Sequence, residues 1–290
     1  MKVDIISPYG YCAGVISALM KAKKAKNEHK DENIYLLGML VHNEETVREL
    51  SSLGLKVIDE KKEDLLLALN RIEEGSVVIF SAHGHPKEYE EVAKRRNLKI
   101  IDATCIFVSQ NEDAAKQDIE KGESVVYLGS KGHLETIGFL SNVKEASFYD
   151  VKSKQIEEDK LPSSCLNPIV YSQTTLSLEE VNEAITKLKE RYPLLRLGRL
   201  RCHSTSLRQQ RLLSLPSDVD CVIVLGSKTS NNSVKLYELA KSIGKKAYLC
   251  LNENEVRKID LSHFHHLALA TGASTSKENF SAVKAYLESL

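Results

Sequence analysis

Six cysteines stand in this 290-residue chain. Three of them share a setting: Cys12 in YGYCAGV, Cys105 in IIDATCIF and Cys202 in RLRCHSTS each follow a strand-like run and precede a helix-like one. A thiol at a helix N-terminus faces positive backbone dipoles, which lower its pKa and favour the thiolate that binds metal. The three are evenly spaced, 93 residues from the first to the second and 97 from the second to the third. Three thiolates from equivalent places can hold three corners of a cubane iron–sulfur cluster, with the fourth iron open to a substrate. The alternatives are a zinc site and three ordinary buried core thiols. No Cys-x-x-Cys pair decides between them locally. Cys165, Cys221 and Cys250 lie off these positions and read as structural.

Polar residues recur on the same beat. Three apolar runs, IYLLGMLVHN, VVYLGSKGHL and VIVLGSKTSN, each carry Leu-Gly, and five residues after each Leu stand His42, His133 and Ser230. Three further runs, VVIFSAHGHPKE, IVYSQTTLSLEE and LALATGASTSKE, end in small turns that supply His83, Thr174 and Ser274. With Asn232, these donors at helix N-termini suit an anion pocket. Glu135 sits two residues after His133, where a carboxyl group can deliver protons or simply stabilise the first helical turn. His29, His85, His203, His263, His265 and His266 fall outside the repeated turns and read as surface or packing residues.

The elements that must position these residues follow from the same periodicity. The Leu-Gly turns at 128 and 225 are again 97 residues apart, so the chain reads as three α/β units, 1–104, 105–201 and 202–290. Amphipathic helices are expected over 43–53, 86–96, 178–192, 231–243 and 276–289, the third opened by a Ser177-x-x-Glu180 capping box. Strands alternating with helices imply parallel sheets, whose ligands bind beyond the carboxyl ends of the strands. Forty basic and forty acidic residues leave no electrostatic case for nucleic acid or an anionic membrane. The N-terminal MKVDIISPYGYC has no secretory pattern and no apolar run reaches membrane length, so a reducing cytoplasm is expected. No dinucleotide fingerprint or P-loop is present, so no second cofactor motif is visible.

The chain resembles the 4-hydroxy-3-methylbut-2-enyl diphosphate reductases of the IspH/LytB type. The matching motifs run in order along its length: YCAGV, VHN, SAHG, DATC, GHLE, SQTTLS, C-x-x-T-x-x-RQ over 202–209, GSK-x-S-x-N-S and GAS. The resemblance implies a three-lobed α/β trefoil around a central 4Fe–4S cluster ligated by Cys12, Cys105 and Cys202. It implies that His42, His83, His133, Ser230, Asn232 and Ser274 hold the substrate diphosphate. Glu135 becomes the proton source and Thr174 the neighbour of the substrate hydroxyl. The implied reaction is reductive dehydroxylation at the open iron, giving isopentenyl and dimethylallyl diphosphate, with a ferredoxin or flavodoxin as electron donor. The chain departs from the family pattern at Ile106, Leu134, Thr136, Ile137, Ser204, Thr275 and Ser276. A related cluster protein with another phosphorylated substrate, and a redox or zinc-binding protein on the same scaffold, are the competing expectations.

Overall fold

The computed structural model describes residues 1–198 and 202–290. The apolar runs form three small sheets with one repeated strand order. In the first, Lys56–Ile58, Ile34–Leu37, Val77–Phe80 and Lys99–Asp102 lie side by side, all parallel. In the second, Ser147–Asp150, Val125–Gly129, Ile169–Ser172 and Arg196–Leu197 repeat that order. In the third, Lys246–Cys250, Cys221–Leu225, His266–Thr271 and Lys2–Ile5 do so again. The central strands are buried along their whole length, save Tyr35 in Ile34–Leu37, as strands packed on both faces must be. The second sheet, for example, carries one apolar cluster around Val126, Leu128 and Val170 and another around Tyr127, Phe139 and Phe148.

The last strand of each sheet leads into a cysteine. Lys99–Asp102 precedes Cys105, Arg196–Leu197 precedes Cys202, and Lys2–Ile5 precedes Cys12. The first strand of the 1–104 stretch therefore pairs with His266–Thr271, at the other end of the chain. Helices follow each cysteine: Ala13–Glu28, Ile106–Glu120 and His203–Leu213. One edge departs from the all-parallel expectation. Gln155–Glu158 runs antiparallel to Ser147–Asp150, because only the tight turn 151–154 joins them and a parallel return needs a dozen residues or more.

The repeated Leu-Gly has a steric cause. A Cβ at Gly129 would lie 2.5 Å from Thr136 Oγ1, and one at Gly226 would overlap Ser233 Oγ. The helices Leu134–Asn142 and Asn231–Ser242 thus come down onto bare backbone at the strand end. Gly38 instead adopts φ +80°, a left-handed turn that glycine enters without strain.

The chain packs as two compact units. One comprises Met1–Val15, His42–Thr46 and Cys202–Leu290, and contains the third sheet; the other comprises Ile16–Val41 and Val47–Arg201, and contains the first two. Among the described residues, no helix is long and apolar enough to cross a membrane.

Candidate active site

Each repeat cysteine sits at the start of its helix. Cys105 and Cys202 occupy N-cap positions, with extended backbone at φ −65° and −63°. Cys12 immediately precedes Ala13–Glu28, and its Sγ accepts from Val15 N at 3.5 Å. All three are half-buried and none is in a disulfide. Cys221 and Cys250 differ in kind. Both are buried, and desolvation pushes their thiols up to about 12 and about 11, so they stay protonated and chemically quiet. Cys165 is half-buried and outside the repeated positions.

The unit that holds Cys12 and Cys202 gathers one set of polar turn residues. Ser230 caps Asn231–Ser242 by accepting from Ser233 N. Asn232, in the first turn of that helix, is 4% exposed, and among the described residues neither its Oδ1 nor its Nδ2 has a hydrogen-bond partner. A buried amide left open costs about 1–3 kcal/mol, which a polar ligand removes. Ser274 Oγ donates to His42 O at 3.1 Å, joining two of the expected ligand-binding turns. The His42–Thr46 segment is fastened here by Tyr11 to Thr46, Thr229 to Glu44, and Asn252 and Asn279 to Glu45.

The other unit gathers the rest. His83 and His133 lie edge to face with ring centroids 6.0 Å apart. His133 caps Leu134–Asn142, its Nδ1 accepting from Glu135 N at 3.2 Å, which places the ring proton on Nε2. Glu135 is 3% exposed. Its two oxygens accept from Thr174 N at 2.7 Å and Thr174 Oγ1 at 2.8 Å. Burial drives its pKa from 4.5 up to about 7, against the pull of those two bonds. A carboxyl group so placed holds or gives up its proton near neutrality, the property required of a general acid.

Sequence reasoning passed over Gln173, which is fully buried and ties these two turns together. Its Oε1 accepts from Ser130 N at 2.9 Å and its Nε2 donates to Thr175 Oγ1 at 2.8 Å. The signal was a lone amide at the end of a continuous apolar strand. His266, read as packing or surface, is buried between Asp4 at 2.9 Å and Asp218 at 3.0 Å and packs there as part of the third sheet. Within either unit, among the described residues, no three His, Cys, Asp or Glu side chains are grouped closely enough to hold a metal ion.

A family model described as LytB protein matches residues 3–288. The chain belongs to the LytB protein family. A relative from Malacoplasma penetrans (strain HF-2) is 33% identical over 285 residues, covering 95% of this chain and 93% of the relative. One from Bacillus subtilis (strain 168) is 34% identical over 295 residues, covering 99% and 91%. Both are named 4-hydroxy-3-methylbut-2-enyl diphosphate reductase. The solved E-1-hydroxy-2-methyl-but-2-enyl-4-diphosphate reductase from Plasmodium falciparum matches with a TM-score of 0.86 at 26% identity, over 100% of this chain and 87% of that one. A second structure, described as (E)-4-hydroxy-3-methyl-but-2-enyl diphosphate reductase, the terminal enzyme of the non-mevalonate pathway, gives 0.69 at 27% identity, over 100% of both. The α/β fold of this chain is the fold of that family of oxidoreductases.

The departures from the family motifs have local explanations. Ile106 is 58% exposed at the first helical position, where the side chain meets solvent and little constrains its type. Leu134 packs onto the core of the first sheet. Thr136 Oγ1 donates to Gln173 Oε1 at 3.4 Å. Ser204 Oγ accepts from Arg208 Nη1 at 3.0 Å.

Proposed function

We propose that this chain reduces 4-hydroxy-3-methylbut-2-enyl diphosphate to isopentenyl and dimethylallyl diphosphate, with Cys12, Cys105 and Cys202 as ligands of a 4Fe–4S cluster. The donor set fits such a group: three thiols free of disulfides, each half-buried and at the positive end of a helix. When bound, the cluster supplies electrons and a Lewis-acidic iron for loss of the substrate hydroxyl as water. The chain's own residues do the rest. His42, His83, His133, Ser230, Asn232 and Ser274 hold the diphosphate through imidazole, hydroxyl and amide donors. The unpartnered amide of Asn232 supports that assignment.

The observation that carries the reading is the buried Glu135–Thr174 pair. Dehydroxylation needs a proton for the departing oxygen, and Glu135 holds one near pH 7. Thr174 fixes the carboxyl with its N–H and its hydroxyl, leaving a lone pair of that hydroxyl to orient the substrate alcohol. Electrons come from a separate reduced protein of the ferredoxin or flavodoxin kind.

Anaerobic purification with iron and sulfide counts, followed by turnover of the named substrate, tests this directly. About four irons per chain and turnover are expected, with C105S losing most of the iron and C221S keeping it. One zinc and no iron would refute the reading.

A further inference from the structure

Six residues after each capping cysteine the three repeats carry Ala18, Asn111 and Arg208. The last two do the same structural job. Asn111 Nδ2 donates to Ser172 O at 2.8 Å, and Arg208 Nε donates to Thr271 O at 3.2 Å. Ser172 and Thr271 are equivalent strand ends, paired with Leu128 and Leu225 of the two Leu-Gly turns. In the first repeat the position is a buried alanine. The scaffold therefore needs no charge here, and only one of the three copies has one.

Arg208 is 3% exposed and, among the described residues, has no carboxylate partner. Its other nitrogens reach the flanks of two cysteines. Nη1 donates to Ser204 Oγ, two residues after Cys202, and Nη2 donates to Gly10 O, two residues before Cys12. The Cys12 turn is further held by Gly10 N to Thr271 Oγ1 at 2.9 Å and by Cys12 N to Ala273 O at 3.0 Å. Burial works against the guanidinium charge, and thiolates at Cys12 and Cys202 would favour it. A buried cation without an acid is destabilising until an anion joins it.

We propose that Arg208 is a positioning residue for Cys12 and Cys202, whose fork fixes the two segments carrying these thiols and whose charge offsets theirs, raising the reduction potential of the cluster they ligate. The proposal rests on the cluster reading above. Reduction adds negative charge, and a fixed cation in a low-dielectric surrounding favours it.

The test is the midpoint potential of anaerobically purified holoprotein, read by its visible absorption, with iron counted in each sample. R208Q is expected to shift the reduction equilibrium about tenfold toward the oxidised form, which is about 59 mV for one electron. R208K keeps the charge and should stay within about twofold of the parent. N111L removes the equivalent neutral bond in the second repeat and should leave the potential unmoved. R208Q matching the parent, or R208K or N111L shifting as far as R208Q, overturns the charge role. If R208Q does not fold, R208N, which places the side chain of the second repeat here, replaces it: a tenfold fall upholds the charge role and a parent-like potential overturns it. A parent protein without iron instead overturns the cluster reading, and this inference with it.

Discussion

Replacing Glu135 by Gln should make the metal-free chain more stable at neutral and alkaline pH while removing the proposed proton donor. The carboxyl titrates near 4.5 when unfolded and at about 7 in the fold, where burial outweighs the bonds from Thr174. Between those values the native chain binds a proton that the unfolded chain has released, so stability falls as pH rises through this window. The full difference is about 2.5 pH units, or ~3 kcal/mol, reached above pH 7. Gln preserves the surroundings. Its carbonyl accepts from Thr174 N, and its amide donates to Thr174 Oγ1, whose hydroxyl can reverse its role. The assay is urea unfolding of parent and E135Q from pH 4 to 9. The curves should coincide near pH 4, separate between 4.5 and 7, and then run parallel with the variant about 3 kcal/mol more stable. Because two packing units can unfold separately, the gap belongs to the transition that carries the Leu134–Asn142 helix, which amide exchange identifies. A pH-independent offset, or a variant less stable at pH 8, would show that Glu135 is not held protonated by burial.

T174V deletes one of the two bonds that lower the Glu135 pKa while keeping the other. The alkaline limb of the kcat profile should therefore move to higher pH, and an unmoved limb would remove Glu135 as the titrating acid. N232A removes a buried amide that has no partner among the described residues. The chain alone should gain about 1–3 kcal/mol in chemical unfolding, while KM for the diphosphate rises about tenfold. A loss of stability with unchanged KM would make Asn232 a purely structural residue. G226A drives a methyl group into Ser233 and should cost about 1–3 kcal/mol, with G226A/S233G recovering most of it. Failure of that rescue in thermal melts would locate the strain elsewhere.

The helices were legible because their caps are local. Asn43, Ser177 and Ser230 each mark a start that the structure places within one residue: Glu44–Ser52, Leu178–Arg191 and Asn231–Ser242. The strands were legible as apolar runs but came out shorter, since the ladder stops where Leu-Gly turns the chain toward its helix. Pairing was not legible. Nothing around Lys2–Ile5 says that its partner is His266–Thr271, because that choice is made by the sheet and not by the segment. Gln155–Glu158 was missed because a polar, half-exposed edge strand carries no apolar alternation. The candidate turn residues could be singled out because they stand at repeated positions. Arg208 and Gln173 stood inside matched motifs but were given no role, because they act from a helix interior and a strand end, through backbone carbonyls and amides, and leave no turn signature.

A repeat delivers equivalent groups, but a dehydroxylation needs unequal ones. The third residue of each sequence His133-Leu134-Glu135 and Ser230-Asn231-Asn232 makes the point. Glu135 and Asn232 occupy the same second position of their helices, two residues after the cap, and both are buried. The backbone around them offers the same N-terminal dipole. Glu135 finds Thr174, whose two donors hold the carboxyl, while Asn232 finds no protein partner. Under the proposed reading the difference is functional. An acid at 232 would face the diphosphate with like charge once ionised, and an amide at 135 could not release a proton. The same logic applies inside the cysteine helices, where Ala18, Asn111 and Arg208 fill one position and only the last supplies charge. The repeated scaffold sets where side chains stand; in the proposed reading, single substitutions in single copies then supply one proton donor, one neutral anchor and one cation.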